Sequence, residues 1–257
     1  MVRAVECLLV GKDRLPRPLL DVGCGDGHFA ATCLPGGADV GIDPSQQSTA
    51  EAARTGAYRM VARCSAASLP FGDESFAAVV SNCVIEHIPP LERALSEMSR
   101  VLRPGGRLVI TVPSDRFADL LFWPRVLRAV GAERPAAAYA RWFNHVSRHF
   151  HTYSREGWTR RLEQAGFQVE EWTGYLGADA MAVCDLSHYY GAPTLVSKRL
   201  TGRWILWPGK DAVLPWEHWL ARLLVHFSAQ IGIPEAAYLY FSAIKVRTPK
   251  VPLAHGT

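Results

Sequence analysis

The chain has 257 residues, of which 49% are hydrophobic and 20% charged, and its formal net charge is +4. That composition belongs to a globular protein with a real core, long enough for one large domain or a domain with a sizeable insertion. So small a positive excess, with no dense Lys/Arg run, argues against a nucleic-acid partner. The N-terminal residues Met1–Glu6 lack the apolar stretch of a signal peptide, which predicts a cytoplasmic protein. Six cysteines (Cys7, Cys24, Cys33, Cys64, Cys83 and Cys184) include no C-x-x-C pair. They predict buried free thiols in a reducing compartment, with neither a disulfide framework nor a metal site.

In chain order, apolar runs predict strands at 18–22, 38–42, 59–63, 77–82 and 107–112, alternating with helices at 27–34, 46–54 and 91–102. The segment Arg103-Pro104-Gly105-Gly106 predicts a turn between the last helix and the last strand. Ser154–Gly166 reads as a further helix, with serine as N-cap and glycine as C′ residue. Strands at 167–173 and 237–247 follow, and 248–257 reads as a mobile tail. Strands alternating with helices imply a doubly wound α/β sheet, whose ligand binds at the carboxyl ends of the strands.

Residues 114–153 and 176–236 interrupt that alternation, and both are rich in Trp, Tyr, Phe and His. Such long connections carry function or helices of their own. The second holds a stripe at helical spacing: Trp216, Trp219, Leu220, Leu223, Leu224, Phe227 and Ile231. It reads as a lid helix, with a pocket wall or a peripheral membrane contact as the alternatives. Trp219–Ile233 is interrupted by Arg222, His226 and Gln230 and predicts no transmembrane helix.

The most informative segment is Leu19-Leu20-Asp21-Val22-Gly23-Cys24-Gly25-Asp26-Gly27-His28. An apolar strand runs into a turn with glycine at every second position, where the backbone can lie against a ligand. The dinucleotide pattern G-x-G-x-x-G needs a small residue where His28 stands. Asp21, two places before the first glycine, would repel a pyrophosphate and suits a cationic cofactor. Asp43 follows Gly23 by twenty residues, at the tip of the second predicted strand. It reads as acceptor for both ribose hydroxyls of a nucleoside, or as an N-cap aided by Pro44.

This turn resembles motif I of class I S-adenosylmethionine (SAM) methyltransferases, D/E-x-G-x-G-x-G. Arg63–Phe71, Ser75–Ile88, Leu102–Leu108 and Tyr153–Phe167 resemble later segments of that family, in the right order. The resemblance implies a Rossmann-like, mostly parallel seven-stranded sheet with helical insertions forming a lid. It implies SAM as cofactor and S-adenosylhomocysteine as product. Carried over by position, Asp21, Gly23, Cys24, Gly25 and Gly27 surround the methionine and ribose, and Asp43 and Pro44 the ribose. Ser65 and Ala66 flank adenine, and Asn82, Cys83 and Val84, with His87 nearby, lie beneath the sulfonium. Ser65 departs from the family's usual aspartate, and Ala77 from its usual acidic residue.

The domain boundaries follow: 1–113 as cofactor-binding core, 114–153 as helical acceptor cap, 154–175 as core helix and strand, 176–236 as lid, and 237–257 as last strand and tail. Two apolar insertions predict a small hydrophobic acceptor. His145, His149, His151 and Tyr153 are the candidate bases, with His145 and His149 sharing a face if helical. They favour O-methylation; C- and N-methylation stay open. The alternatives are a non-catalytic regulatory or scaffold protein of the same fold, and an NAD-dependent oxidoreductase. The acceptor, the methylated atom and the oligomeric state are beyond the sequence.

Overall fold

The computed structural model describes residues 2–12, 15–186, 222, 226 and 230–246. Helix α1 (Val2–Val10) precedes β1 (Leu19–Val22), α2 (His28–Cys33), β2 (Ala38–Asp43), α3 (Gln46–Ala52), β3 (Tyr58–Arg63) and β4 (Phe76–Asn82). Then come α4 (Leu91–Val101), β5 (Leu102–Pro113), α5 (Phe122–Ala129), α6 (Glu133–Val146), α7 (Arg155–Gln164), β6 (Phe167–Tyr175) and β7 (Tyr238–Lys245). A further helical stretch runs from 178 to 186. The lid stripe, apart from Ile231, and the 248–257 tail lie outside the described residues.

The strands form one seven-stranded sheet in the order β3-β2-β1-β4-β5-β7-β6. The pairs β1–β2, β1–β4, β2–β3 and β4–β5 are parallel. Strand order reverses between β1 and β4, and that switch point is where a doubly wound sheet opens a crevice for a ligand. Inner strands of such a sheet are covered on both faces. All four residues of β1 are accordingly buried, as are all but one of β4. The edge strand β3 has no buried residue. In β7, Leu239–Ala243 are buried without alternation, because that strand lies between β5 and β6.

Contacts among the described residues fall into two compact units. One comprises 6–112, 155–172 and 240–246; the other comprises 2–5, 113–154, 173–186, 222, 226 and 230–239. In the first, α4 buries Leu91, Ala94, Leu95, Met98 and Val101, the stripe its helical period dictates. In the second, Phe117, Leu120, Leu121, Phe143, Met181 and Ala237 form an apolar core, with Tyr139 and Tyr238 packed against it.

Three expectations need correction. The Pro104-Gly105-Gly106 segment does not separate α4 from its strand, because β5 already begins at Leu102. The irregularity is absorbed as a register shift between Phe76 and Ala78 on β4, with Gly105 at φ +75°. The cysteines are not all free thiols: Cys7 and Cys33 form a disulfide, with Cα atoms 4.6 Å apart. Helix α6 ends at Val146 and Arg148 takes φ +55°, so His149 lies beyond the helix that carries His145.

Arg100, on α4, ties the loop before β4 to the core. It donates to the Leu69 and Phe71 carbonyls, to Asp73 Oδ1 and to both oxygens of Glu97. Hydrogen bonding from Arg100 holds the Glu97 carboxyl down to about 2. Its contribution to stability is therefore complete above its ordinary value of 4.5 and is lost as pH falls toward 2. Arg100→Ala should lower unfolding stability by about 1–3 kcal/mol. Denaturant titrations at neutral pH and near pH 3 check this, the difference between wild type and variant narrowing in acid.

Candidate functional site

The turn after β1 is shaped by packing that only glycine permits. Gly23 has φ +78°, and a Cβ there would lie 2.4 Å from both methyl carbons of Val84. Gly27 has φ +82°, and its Cβ would come within 2.9 Å of the Ala52 Cα on α3. The first glycine thus lets β1 meet the chain leaving β4, and the third lets the turn sit on α3. Above Gly25 the space is open: a methyl group on its Cα would meet no atom within 4 Å.

Most of the turn's amides are already engaged. Gly23 and Cys24 N–H both donate to the Ile42 carbonyl at 2.8 Å, and Gly27 N–H to the Cys24 carbonyl at 3.0 Å. Gly25 N–H donates to Asp43 Oδ2 at 3.2 Å, and His28 N–H to Asp26 Oδ1 at 3.0 Å. A pyrophosphate site depends on such amides being open to the ligand at a helix N-terminus. Here these donors serve the turn itself.

A cavity of about 410 Å³ opens beside this turn, lined by Gly23, Ile42, Asp43, Pro44, Cys64, Ser65, Ala66, Val84, His87, Ile88, Pro89 and Pro90. That size suits a nucleoside-sized ligand. Of the residues named from sequence, Gly23, Asp43, Pro44, Ser65, Ala66, Val84 and His87 line it. Asp21, Cys24, Gly25, Gly27, Asn82 and Cys83 do not form its walls. Asp43 is not the N-cap of α3: Ser45 is, accepting from Ser48 N–H. Asp43 instead accepts from Ser45 N–H through Oδ1 and from Gly25 N–H through Oδ2, which fixes its carboxylate at the cavity edge. Ser65 Oγ accepts from Ala67 N–H at 3.2 Å, turning the chain as it leaves β3.

Asp21 is buried at the end of β1 and accepts a 2.7 Å hydrogen bond from the Tyr58 hydroxyl. Burial and the charge of Asp21 push the Tyr58 phenol well above its ordinary value. Burial, then the charges of Asp21 and Asp43, push the Cys24 thiol up to about 12. Cys24 is therefore a neutral thiol, and the region around the turn carries negative potential. Such a field favours a cation. The open hollow over Gly25, the nucleoside-sized cavity and the paired carboxylates fit SAM, and the engaged amides do not fit a dinucleotide.

At the end of β4, Asn82 donates to Glu6 Oε2 at 2.8 Å and accepts from the Thr111 hydroxyl at 2.8 Å. Cys83, at φ +50°, donates through sulfur to Glu6 Oε1 at 3.1 Å and through its amide to Thr111. Burial, then Glu6 and Glu86, push the Cys83 thiol well above its ordinary range, so it is no nucleophile. Glu6 was not picked out from sequence, yet its position among Val5, Leu9 and Val10 marks a carboxylate on the buried stripe of α1. Tyr58 and Thr111 carried no such signal, being ordinary strand residues.

The four candidate bases lie in the other compact unit. His145 is exposed in the last turn of α6. His149 Nδ1 lies 3.4 Å from Asn144 Oδ1, and its ring meets Phe117 edge-on. His151 Nδ1 and the Tyr153 hydroxyl are 3.0 Å apart, with the two rings stacked. The structure therefore joins His151 with Tyr153 and leaves His145 apart from them.

A family model described as a methyltransferase domain matches residues 3–171. The chain is 35% identical over 143 residues to an uncharacterized methyltransferase of Mycobacterium marinum, a match spanning 54% of this chain and 55% of that one. It is 40% identical over 98 residues to a Mycobacterium tuberculosis counterpart, spanning 37% and 39%. The matches thus span about half, or less, of these relatives' length. Among solved structures, the geranyl diphosphate C-methyltransferase of Streptomyces coelicolor superposes with a TM-score of 0.53 at 17% identity, covering 95% of this chain and 77% of that one. At that identity the likeness concerns the fold.

One further group near the cavity titrates abnormally. Burial, with the charge of Glu6 adding to it, raises the Glu86 carboxyl to about 8, and its Oε2 has no hydrogen-bond partner. The folded protein binds this proton more tightly than the unfolded chain, so stability falls as pH rises from about 4.5 to about 8. Glu86→Gln should flatten that fall and leave the variant more stable than wild type above pH 8. Thermal melts across the range check it; parallel profiles for the two proteins would contradict it.

Proposed function

The chain belongs to the class I SAM-dependent methyltransferase family, and from that premise we propose that it methylates a small, largely apolar metabolite. The observation that carries the reading is the carboxylate-edged cavity at the switch point, with most amides of its glycine turn engaged internally. Bound SAM supplies an activated methyl group on a sulfonium that is already a good leaving group. What remains for the protein is orientation, which can account for much of the rate of a displacement at carbon.

Asp43 is fixed by two backbone amides and is suited to receive the ribose hydroxyls. Asp21, held by Tyr58, contributes negative potential beside the cationic portion. Pro44, Ala66, Val84 and Ile88 supply apolar surface for the base and the methylene chain. Ser65 offers a hydroxyl where the family usually has a carboxylate, and gives a weaker, uncharged contact to adenine.

Recognition of the acceptor we assign to the two inserted segments, 114–153 and 176–236. The richness of both segments in Trp, Tyr and Phe supports an apolar acceptor. O-methylation is the preferred chemistry, with His151 as base and Tyr153 holding its ring through the 3.0 Å contact. A hydroxyl acceptor must lose a proton, and a positioned base contributes roughly 100-fold or more.

Incubation of a metabolite extract with the protein and isotope-labelled SAM, followed by mass spectrometry, tests the reaction. A product heavier by one labelled methyl is expected. Asp43→Ala should weaken SAM binding by roughly tenfold or more, and Ser65→Asp should tighten it; calorimetric titration reads both. His151→Ala should lower kcat by roughly 100-fold with SAM affinity unchanged. An unaltered rate would remove the base assignment.

A further inference from the structure

Positive charge is unevenly distributed along the chain. Residues 120–151 hold five arginines (Arg125, Arg128, Arg134, Arg141 and Arg148) and one acidic residue, Glu133, a balance equal to the excess of the whole sequence. Arg128 is engaged by Asp119 and Glu133. Arg134 and Arg141 are exposed on α6, and no described residue pairs with either. Seven residues apart, they stand two turns from one another on one side of the helix, with His145 one turn further on.

The same helix exposes a large apolar strip beside that basic one. Trp142 is 53% exposed and Val146, four residues on, is 60% exposed. Phe150, just past the helix, is 59% exposed. In the same compact unit α5 exposes Trp123 and Val126 on one face, with Val130 following at its end. A helix with arginines on one strip and tryptophan and valine on the next is built for the boundary between water and hydrocarbon. Arginines near an anionic headgroup layer each strengthen attachment severalfold. A nucleic acid would engage the arginines and gain little from the exposed Val146 and Val130.

We propose that the α5–α6 segment is a peripheral docking surface for anionic lipid membrane. No helix among the described residues is long and apolar enough to cross a membrane, so attachment is by surface contact. The docking surface uses none of the residues that line the cofactor cavity and stands whether or not the methyltransferase reading holds.

Sedimentation of the full chain with vesicles tests it. One set contains phosphatidylcholine alone, another an equal share of phosphatidylglycerol, and a short DNA duplex serves as competitor. Binding to the anionic vesicles only is expected, weakened by added salt. The double variant Arg134→Glu/Arg141→Glu should lose roughly tenfold or more in affinity. Trp142→Ala should also lose affinity, while both variants bind SAM as wild type does. Equal binding to both vesicle types, binding unaffected by either variant, or displacement by the duplex would overturn the proposal.

Discussion

The site depends on the fixing of two carboxylates, Asp21 and Asp43, at adjacent strand ends, beside a turn most of whose amides are already in use. A carboxylate at a strand tip is free to swing unless something holds it. Tyr58 holds Asp21, and the Gly25 and Ser45 amides hold Asp43. The same hydrogen bonds that shape the turn withdraw most of its donors from an anion. One arrangement therefore admits positive charge and disfavours phosphate. The glycines follow from this geometry: Gly23 admits Val84, and Gly27 admits α3.

At the end of β4, a buried polar network joins three parts of the chain distant in sequence. Glu6 on α1, Asn82 and Cys83 after β4, and Thr111 on β5 satisfy one another. A partly satisfied network of this kind would be costly at low dielectric. Its completeness explains how Cys83 is held at positive φ, where a non-glycine residue is strained. Glu6 thereby ties the N-terminal helix to the ends of β4 and β5, and the disulfide from Cys7 to Cys33 ties that helix to α2 as well.

Much of the core was legible because its signals are local. Apolar runs located β1 through β4 to within a residue or two, and the spacing from Gly23 to Asp43 located the cavity's polar edge. Legibility failed where distance in sequence was involved. Whether Asp43 capped α3 or faced a ligand depended on Ser45 taking the cap. The Cys7–Cys33 pairing needed the two cysteines to be brought within 4.6 Å (Cα–Cα) by the fold, which spacing does not encode. Glu6 has the character of a surface residue, and only its place on a buried stripe marks it otherwise. The Pro104-Gly105-Gly106 segment read as a break, because sheet context can carry a strand across a bulge that propensity alone forbids. The spacing of His145 and His149 pointed to one shared helix only because the left-handed residue at Arg148 left no mark in that spacing.

The catalytic reading rests on the choice of a cation over a pyrophosphate. Parallel calorimetric titrations of the purified protein with SAM and with NAD, at low ionic strength, test that choice most directly. Micromolar binding of SAM with no heat from NAD is the predicted result. NAD binding as tightly as SAM, or SAM failing to bind while NAD does, would contradict it.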